Sequence, residues 1–93
     1  MKIVTVCGMG IGTSVLLKMN TEKALRALGV DGDVEAADIG TARGAARGAD
    51  IVFTSADLVD EIGQVPARVI VIKNFTSVDE VTQKLTELLG LEQ

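Results

Sequence analysis

The cysteine of this chain stands where an apolar segment gives way to glycines and hydroxyl side chains. The apolar segment runs from Ile3 to Val6, and Cys7 follows it. The next residues form a glycine-rich segment: Gly8, Met9, Gly10, Ile11, Gly12, Thr13 and Ser14. This order predicts a strand, a thiol, a loop and the start of a helix. The backbone N–H groups of such a loop and the positive end of a helix favour an anion, such as a thiolate or its phosphate ester. We therefore expect Cys7 to do chemistry on phosphorus.

The segment differs from two common phosphate-binding loops. A P-loop has a lysine after its last glycine, but Thr13 follows Gly12 here. A dinucleotide-binding loop has the pattern G-x-G-x-x-G, and neither glycine pair of this segment is followed by a glycine at the required position.

A third comparison is closer. Cysteine-dependent phosphatases have a cysteine, five residues, an arginine, and then serine or threonine. Counted from Cys7, Thr13 takes the place of the arginine and Ser14 supplies the final hydroxyl. An arginine would stabilise the transferring phosphoryl group through two charge-assisted hydrogen bonds. Without it we expect slow hydrolysis, so that a phosphocysteine persists and can be handed to another acceptor. We further hypothesise that a partner supplies the missing cation.

Ordinary structural roles compete with these interpretations. Cys7 could be a buried core thiol, because cysteine is among the most buried residue types. The three glycines and two hydroxyls that follow favour the functional interpretation. We expect Thr13 and Ser14 to cap the first helix while they border the anion site.

Three further side chains near the loop have two possible roles. Lys18 is either a solvated helix residue or a cation that attracts phosphate or an acidic partner. Met9 and Ile11 either pack locally or form a docking surface for partner proteins.

Composition excludes several classes of function. The chain has 93 residues, 47% of them hydrophobic, so we predict one domain over residues 1–93. A net charge of −4 and an aromatic content of 2% argue against a nucleic-acid partner. No histidine is present, and with one cysteine neither a zinc site nor a disulfide is expected. We expect no metal, no cofactor, no membrane insertion and a cytoplasmic location.

Strands and helices alternate along the chain. The predicted strands are Ile3–Val6, Val34–Ile39, Ile51–Phe53 and Val69–Ile72. The predicted helices are Ser14–Leu28, Thr41–Arg47, Ala56–Ile62 and a last one that begins after Ser77 in a capping-box pattern and ends at Gly90. This order predicts an α/β fold: a four-stranded parallel sheet with helices on both faces, in three layers. The binding site should lie at the carboxyl ends of the strands, where Cys7–Ser14, Thr54-Ser55 and Lys73-Asn74-Phe75 are placed.

The residues from Cys7 to Ser14, with Lys18-Met19 after them, resemble the active-site loop of enzyme IIB subunits of the sugar phosphotransferase system. The lactose/cellobiose, galactitol and ascorbate types share a cysteine at the end of strand one, and the spacing here is closest to the ascorbate type. Gly48–Val52, Thr54-Ser55 and Lys73-Asn74 resemble later segments of that branch.

The resemblance implies a phosphocarrier with a fold like that of low-molecular-weight phosphatases. Such a IIB subunit takes a phosphoryl group from a phosphohistidine of IIA onto its cysteine. It then passes the group to a sugar bound by the membrane subunit IIC, which makes it a protein-phosphocysteine–sugar phosphotransferase. By position, Cys7 is the phosphorylated residue and Gly8 to Ser14 form the phosphate-binding loop.

Two alternatives remain open at this point. One is a low-molecular-weight phosphatase or arsenate reductase, against which Thr13 in the arginine position argues. The other is a regulatory module that is similar to IIB and senses phosphorylation.

Overall fold

The strand that ends at the cysteine lies inside a four-stranded parallel sheet. The computed structural model describes residues 1–8 and 11–90. The strands are β1 (Lys2–Cys7), β2 (Asp33–Asp38), β3 (Ile51–Thr54) and β4 (Arg68–Val71). The helices are α1 (Ile11–Leu28), α2 (Ala42–Ala46), α3 (Val59–Ile62), preceded by a 3₁₀ turn at Ala56–Leu58, and α4 (Val78–Leu89).

The order of strands across the sheet is β2-β1-β3-β4, and every neighbouring pair is parallel. The register places Cys7 opposite Asp38 of β2 and Thr5 opposite Phe53 of β3. The predicted parallel α/β sheet is therefore confirmed. The carboxyl ends of β1, β3 and β4 meet at one edge, where the loops that follow them can share a site.

Two apolar clusters cover the two faces of this sheet, because successive side chains of a strand point to opposite sides. Ile3 of β1 packs with residues of α1 and α4, which include Leu17 and Leu85. Val4, the next residue, packs with residues of α2 and α3, which include Ala42 and Ile62. The three predicted layers are thus present, with two helices on each face.

Helix α1 begins earlier than predicted. It starts at Ile11 rather than at Ser14, so Thr13 and Ser14 lie within its first turn and are not its N-caps. Ser14 is fully buried, and its carbonyl oxygen accepts a hydrogen bond of 2.9 Å from the Thr5 hydroxyl. The prediction of N-capping was wrong because glycines are poor helix formers and the apolar pattern starts only after them.

The end of α1 is as predicted. The N–H of Gly29 donates to the carbonyl oxygen of Arg26, and the N–H of Val30 donates to that of Leu25. These two bonds form a Schellman motif, which satisfies carbonyl groups of the last turn.

Two other predicted helices are shorter than expected. The segment Thr41–Arg47 contains α2 over Ala42–Ala46, with its outer residues as caps. The segment Ala56–Ile62 is divided into the 3₁₀ turn and the single turn of α3. Within the described part of the chain, no helix is both long enough and apolar enough to span a bilayer.

Candidate active site

A cavity of about 510 Å³ lies at the carboxyl ends of β1, β3 and β4. The described residues that line it come from five segments of the chain. They are Cys7, Gly8, Thr13, Ile39, Ser55, Asp57, Leu58, Glu61, Ile72, Lys73, Asn74 and Phe75. The three loops predicted to meet at this edge of the sheet do so.

Cys7 is the last residue of β1, and the residue is 4% exposed. It also lines the cavity, so a buried thiol borders a space large enough for a phosphoryl group. The prediction of a buried thiol is confirmed, and the reactive role of Cys7 stays a prediction.

The predicted phosphate-binding residues divide into three groups. Gly8 and Thr13 line the cavity with Cys7. Ser14 is buried and is not among the described lining residues. Ile11 and Gly12 are the first two residues of α1. The predictions for Met9 and Gly10 lie outside the described residues.

Gly8 has little room for a side chain. A Cβ atom placed on it would lie 3.1 Å from the Cδ2 atom of Leu58. That distance is tighter than ordinary van der Waals contact, so Leu58 would have to move for any larger residue. The missing side chain at Gly8 thus allows the backbone of this residue to approach the 3₁₀ turn at one wall of the cavity.

Five lining residues were not predicted as part of the site. Asp57, Leu58 and Glu61 belong to the 3₁₀ turn and to α3, while Ile39 follows β2 and Ile72 follows β4. Each of them lies beyond the carboxyl end of a strand. This position was the available signal, because parallel strands bring the segments that follow them to one edge.

Three of the described lining residues are charged. Asp57 and Glu61 are anionic, and Lys73 is the cation among the described lining residues. Lys18 is not one of them: its ammonium group lies 3.7 Å from the Glu22 carboxylate one turn further along α1. The role of a solvated helix residue therefore describes Lys18 better than that of a phosphate ligand.

The segment between β4 and α4, residues 72–77, is held by side-chain hydrogen bonds. The Glu80 carboxylate accepts the N–H of Lys73 at 2.7 Å and the N–H of Asn74 at 2.9 Å. The amide of Asn20, a buried residue of α1, donates to the carbonyl oxygen of Phe75 at 2.7 Å. Side chains from α1 and α4 thus hold this wall of the cavity.

The start of α4 departs from the predicted capping box. Ser77 accepts the N–H of Glu80 at 3.1 Å, as the pattern predicts. In a capping box the glutamate would bind the N–H of the cap residue. Here the N–H of Ser77 donates to the carbonyl oxygen of Asn74 instead, while the glutamate holds the preceding loop.

Comparison with known proteins identifies the family. The family model described as "PTS system, Lactose/Cellobiose specific IIB subunit" matches residues 2–87. The chain belongs to the PTS IIB family. It is 34% identical over 88 residues to an ascorbate-specific PTS system EIIB component of Mycoplasma pneumoniae, with 94% of this chain and 93% of the relative covered. The ascorbate-specific EIIB components of Salmonella typhimurium and Shigella flexneri are 29% identical over 89 residues, with 95% of this chain and 88% of each relative covered.

The resemblance to IIB subunits predicted from the loop is therefore confirmed. The chain is a phosphotransferase component with a phosphocarrier role, and IIB components in general work with IIA and IIC proteins. In this IIB chain the described cavity contains a thiol, hydroxyl side chains and one cation, and Thr13 stands where a phosphatase has arginine.

Proposed function

We propose that Cys7 carries the phosphoryl group and that Gly8 to Ser14 form its phosphate-binding loop. The observation that supports this most directly is that the buried thiol ends β1 and borders the cavity, with helix α1 beginning at Ile11 soon after it. The N–H groups in the first turn of a helix have no intrahelical acceptors, and the helix dipole is positive there. Both features favour the oxygens of a phosphoryl group on the cysteine.

The chemistry proposed is two in-line displacements. In the first, the Cys7 thiolate attacks phosphorus, an S–P bond forms, and the N–P bond of the IIA phosphohistidine breaks, its electron pair returning to the imidazole nitrogen. In the second, a sugar hydroxyl oxygen attacks phosphorus and the S–P bond breaks. The electron pair leaves with sulfur, and the hydroxyl proton ends on the thiolate or in solvent.

We further propose that the sugar is ascorbate or a related compound, bound by a membrane IIC protein. The support is that relatives with nearly full-length matches are named ascorbate-specific. We propose that the chain works in the cytoplasm with a IIA donor, and that residues 1–93 form one IIB domain. Both apolar clusters contain residues of β1, as expected for a single cooperative unit.

The experiment is phosphorylation by a IIA protein that has been charged with phosphate, followed by intact-mass measurement and ³¹P NMR. Wild-type protein should gain one phosphoryl group with the resonance of a phosphocysteine. Cys7→Ala should gain none, because it lacks the nucleophile. Urea unfolding of both proteins should show that the variant is folded, since a buried Cys→Ala change removes only one sulfur atom.

A phosphoryl group of the same amount and chemistry on Cys7→Ala would reject the assignment of Cys7. Phosphorylation that depends on Cys7 but is not passed on to a sugar by any IIC protein tested would instead favour the regulatory module.

A further inference from the structure

The loop between β4 and α4 connects a carboxylate outside the cavity with the cation that lines it. Lys73 is exposed and lines the cavity with Cys7, and its own backbone N–H is bound by Glu80. Glu80 is half-buried in the first turn of α4 and is not among the lining residues. The carboxylate does not line the cavity, but it contacts the loop that does.

The two hydrogen bonds that the Glu80 carboxylate accepts are charge-assisted. Each carboxylate oxygen accepts one of two consecutive backbone N–H groups, at 2.7 and 2.9 Å. Hydrogen bonds to an ionised acceptor are shorter and roughly twice as strong as neutral ones. Because one carboxylate accepts both N–H groups, the orientation of the backbone at Lys73 and Asn74 is restrained.

The loop is also held within itself. The Asn74 side-chain oxygen accepts the Thr76 N–H at 3.0 Å and the Thr76 hydroxyl at 2.6 Å. The restrained backbone places the Lys73 side chain on the cavity wall, where a phosphoryl group on Cys7 would bring about −1.5 to −2 charges. Thr13 in the arginine position leaves this lysine as the positive charge that the described cavity offers.

We propose that Glu80 is a positioning residue for phosphoryl transfer, which holds the loop so that Lys73 faces the phosphoryl group on Cys7. Lys73 then stabilises the charge that develops on the phosphoryl oxygens during the displacements described above. This inference rests on the proposed role of Cys7.

The first measurement is the rate of phosphoryl transfer from phosphorylated IIA, at saturating and at low IIA concentration. Lys73→Gln should slow the rate at saturation about tenfold, less than the loss of a buried oxyanion donor, because an exposed cation is screened by water and salt. Lys73→Arg should restore most of the rate. Glu80→Gln keeps the side-chain shape but replaces one acceptor by an NH₂ group and removes the charge, so one bond is lost and the other becomes a weaker neutral bond. It should slow the step about fivefold.

The second measurement separates a positioning role from a loss of stability. Ser77→Ala removes the hydroxyl that accepts the Glu80 N–H at the start of α4. It leaves both hydrogen bonds that the loop N–H groups donate to the Glu80 carboxylate. It should lower the melting temperature and leave the transfer rate within about twofold of wild type, because caps contribute to helix stability. Amide hydrogen exchange at Lys73 and Asn74 should accelerate in Glu80→Gln and not in Ser77→Ala.

The third measurement is the double variant Lys73→Gln/Glu80→Gln. If Glu80 acts through Lys73, the double variant is no slower than Lys73→Gln alone, because residues that act as a unit are not additive. An equal effect of Glu80→Gln in both backgrounds, or a rate in Glu80→Gln like that of Ser77→Ala, would overturn the inference. A wild-type protein that forms no phosphocysteine would instead reject the role of Cys7, and this inference with it.

Discussion

We expect the side chain at position 13 to affect how long a phosphocysteine at the proposed Cys7 site lasts. Thr13 lines the cavity, and counted from Cys7 it takes the sequence position at which cysteine-dependent phosphatases have an arginine. A phosphatase must release its phosphate to water, whereas a carrier must keep the group until an acceptor arrives. A hydroxyl can donate one hydrogen bond but adds no charge, and we regard this as suited to a carrier.

We therefore expect Thr13→Arg to accelerate hydrolysis of the phosphocysteine by about tenfold or more, because a guanidinium supplies two charge-assisted donors to the transferring group. The measurement is the decay of the phosphorylated protein, followed by intact mass after removal of the IIA donor. Thr13→Gln is the control, since it has a long side chain without the charge and should decay as wild type does. A slow decay of Thr13→Arg would show that the arginine is not what separates the two functions.

A second residue bears on stability. Among the described residues, Thr54 has a buried side-chain oxygen without a hydrogen-bond partner. Burial of an unpaired hydroxyl costs free energy, and valine has nearly the same shape and suits a strand. Thr54→Val should raise the free energy of unfolding by about 1 kcal/mol.

Thr5→Val is the matched control. Thr5 is also fully buried in a strand, but its hydroxyl donates to the carbonyl oxygen of Ser14 at 2.9 Å. Its loss should lower the free energy of unfolding by about 1 kcal/mol. Urea unfolding followed by circular dichroism measures both, and a loss of stability in Thr54→Val would contradict the prediction.

At the scale of elements, two helices end at glycines with different surroundings. Gly63 follows α3 with φ 69° and ψ −153°, and a Cβ there would lie 2.9 Å from the Nη2 atom of Arg43. That guanidinium is held by a 2.9 Å bond from its Nε to the carbonyl oxygen of Ile62. Gly90 follows α4 with φ 67° and ψ 29°, and no atom lies within 4 Å of its built Cβ.

Gly63→Ala should therefore destabilise the protein more than Gly90→Ala. The first places alanine in a region open essentially to glycine alone and against a held side chain, which should cost about 3 kcal/mol. The second places it in the left-handed helical region, at about 1 kcal/mol. Thermal unfolding of the two variants provides the comparison, and equal losses would contradict it.

The elements also show where prediction from the sequence succeeds and where it stops. Continuous apolar runs predict β1, β3 and β4 and the parallel sheet, because parallel strands covered on both faces have such runs. The strand β2 was predicted from a weaker pattern, since its sequence contains three acidic residues. The start of α1 is missed, since the glycines before Thr13 give no helical signal. In the segment Ala56–Ile62 the spacing of apolar residues is nearly the same for a 3₁₀ turn and an α-helix, so its division cannot be read from the pattern.

Part of the cavity lining was predicted from the sequence. The spacing of the motif after β1 placed Cys7 and Thr13 at the candidate site, and both residues line the cavity. Asp57 and Glu61 carry no such signal: a carboxylate on a short helix is ordinarily a solvated residue. Only the order of the strands, which brings β3 beside β1, places these carboxylates at the same cavity.

At the scale of the whole molecule, the two apolar clusters are built from alternate residues of the same strands. Ile51 and Phe53 face α1 and α4, while Val52 between them faces α2 and α3. Loss of packing in one cluster therefore weakens the strands whose other side chains form the second cluster. We expect both faces to unfold in one cooperative transition.

Leu85→Ala tests this expectation. Leu85 is fully buried in the cluster under α4, and its truncation should lower the free energy of unfolding by about 3 kcal/mol. Circular dichroism is the suitable probe, because the chain has no tryptophan or tyrosine. In Leu85→Ala, the opening free energy measured by hydrogen exchange should fall by the same amount for β1 amides as for α4 amides. Glu87→Ala, an exposed change on the same helix, should stay within about 0.5 kcal/mol of wild type.

The outer position of β2 has a consequence for how copies of this protein meet in a crowded cell. An open strand edge is a template on which a second sheet can grow, and such growth leads to aggregation. The side chains of Asp33 and Asp38 are exposed along β2, and Glu35 between them is paired with the Lys2 ammonium group at 3.0 Å. Two copies that approached edge to edge would bring the two aspartates of each copy close to those of the other, and their mutual repulsion would oppose pairing of the sheets.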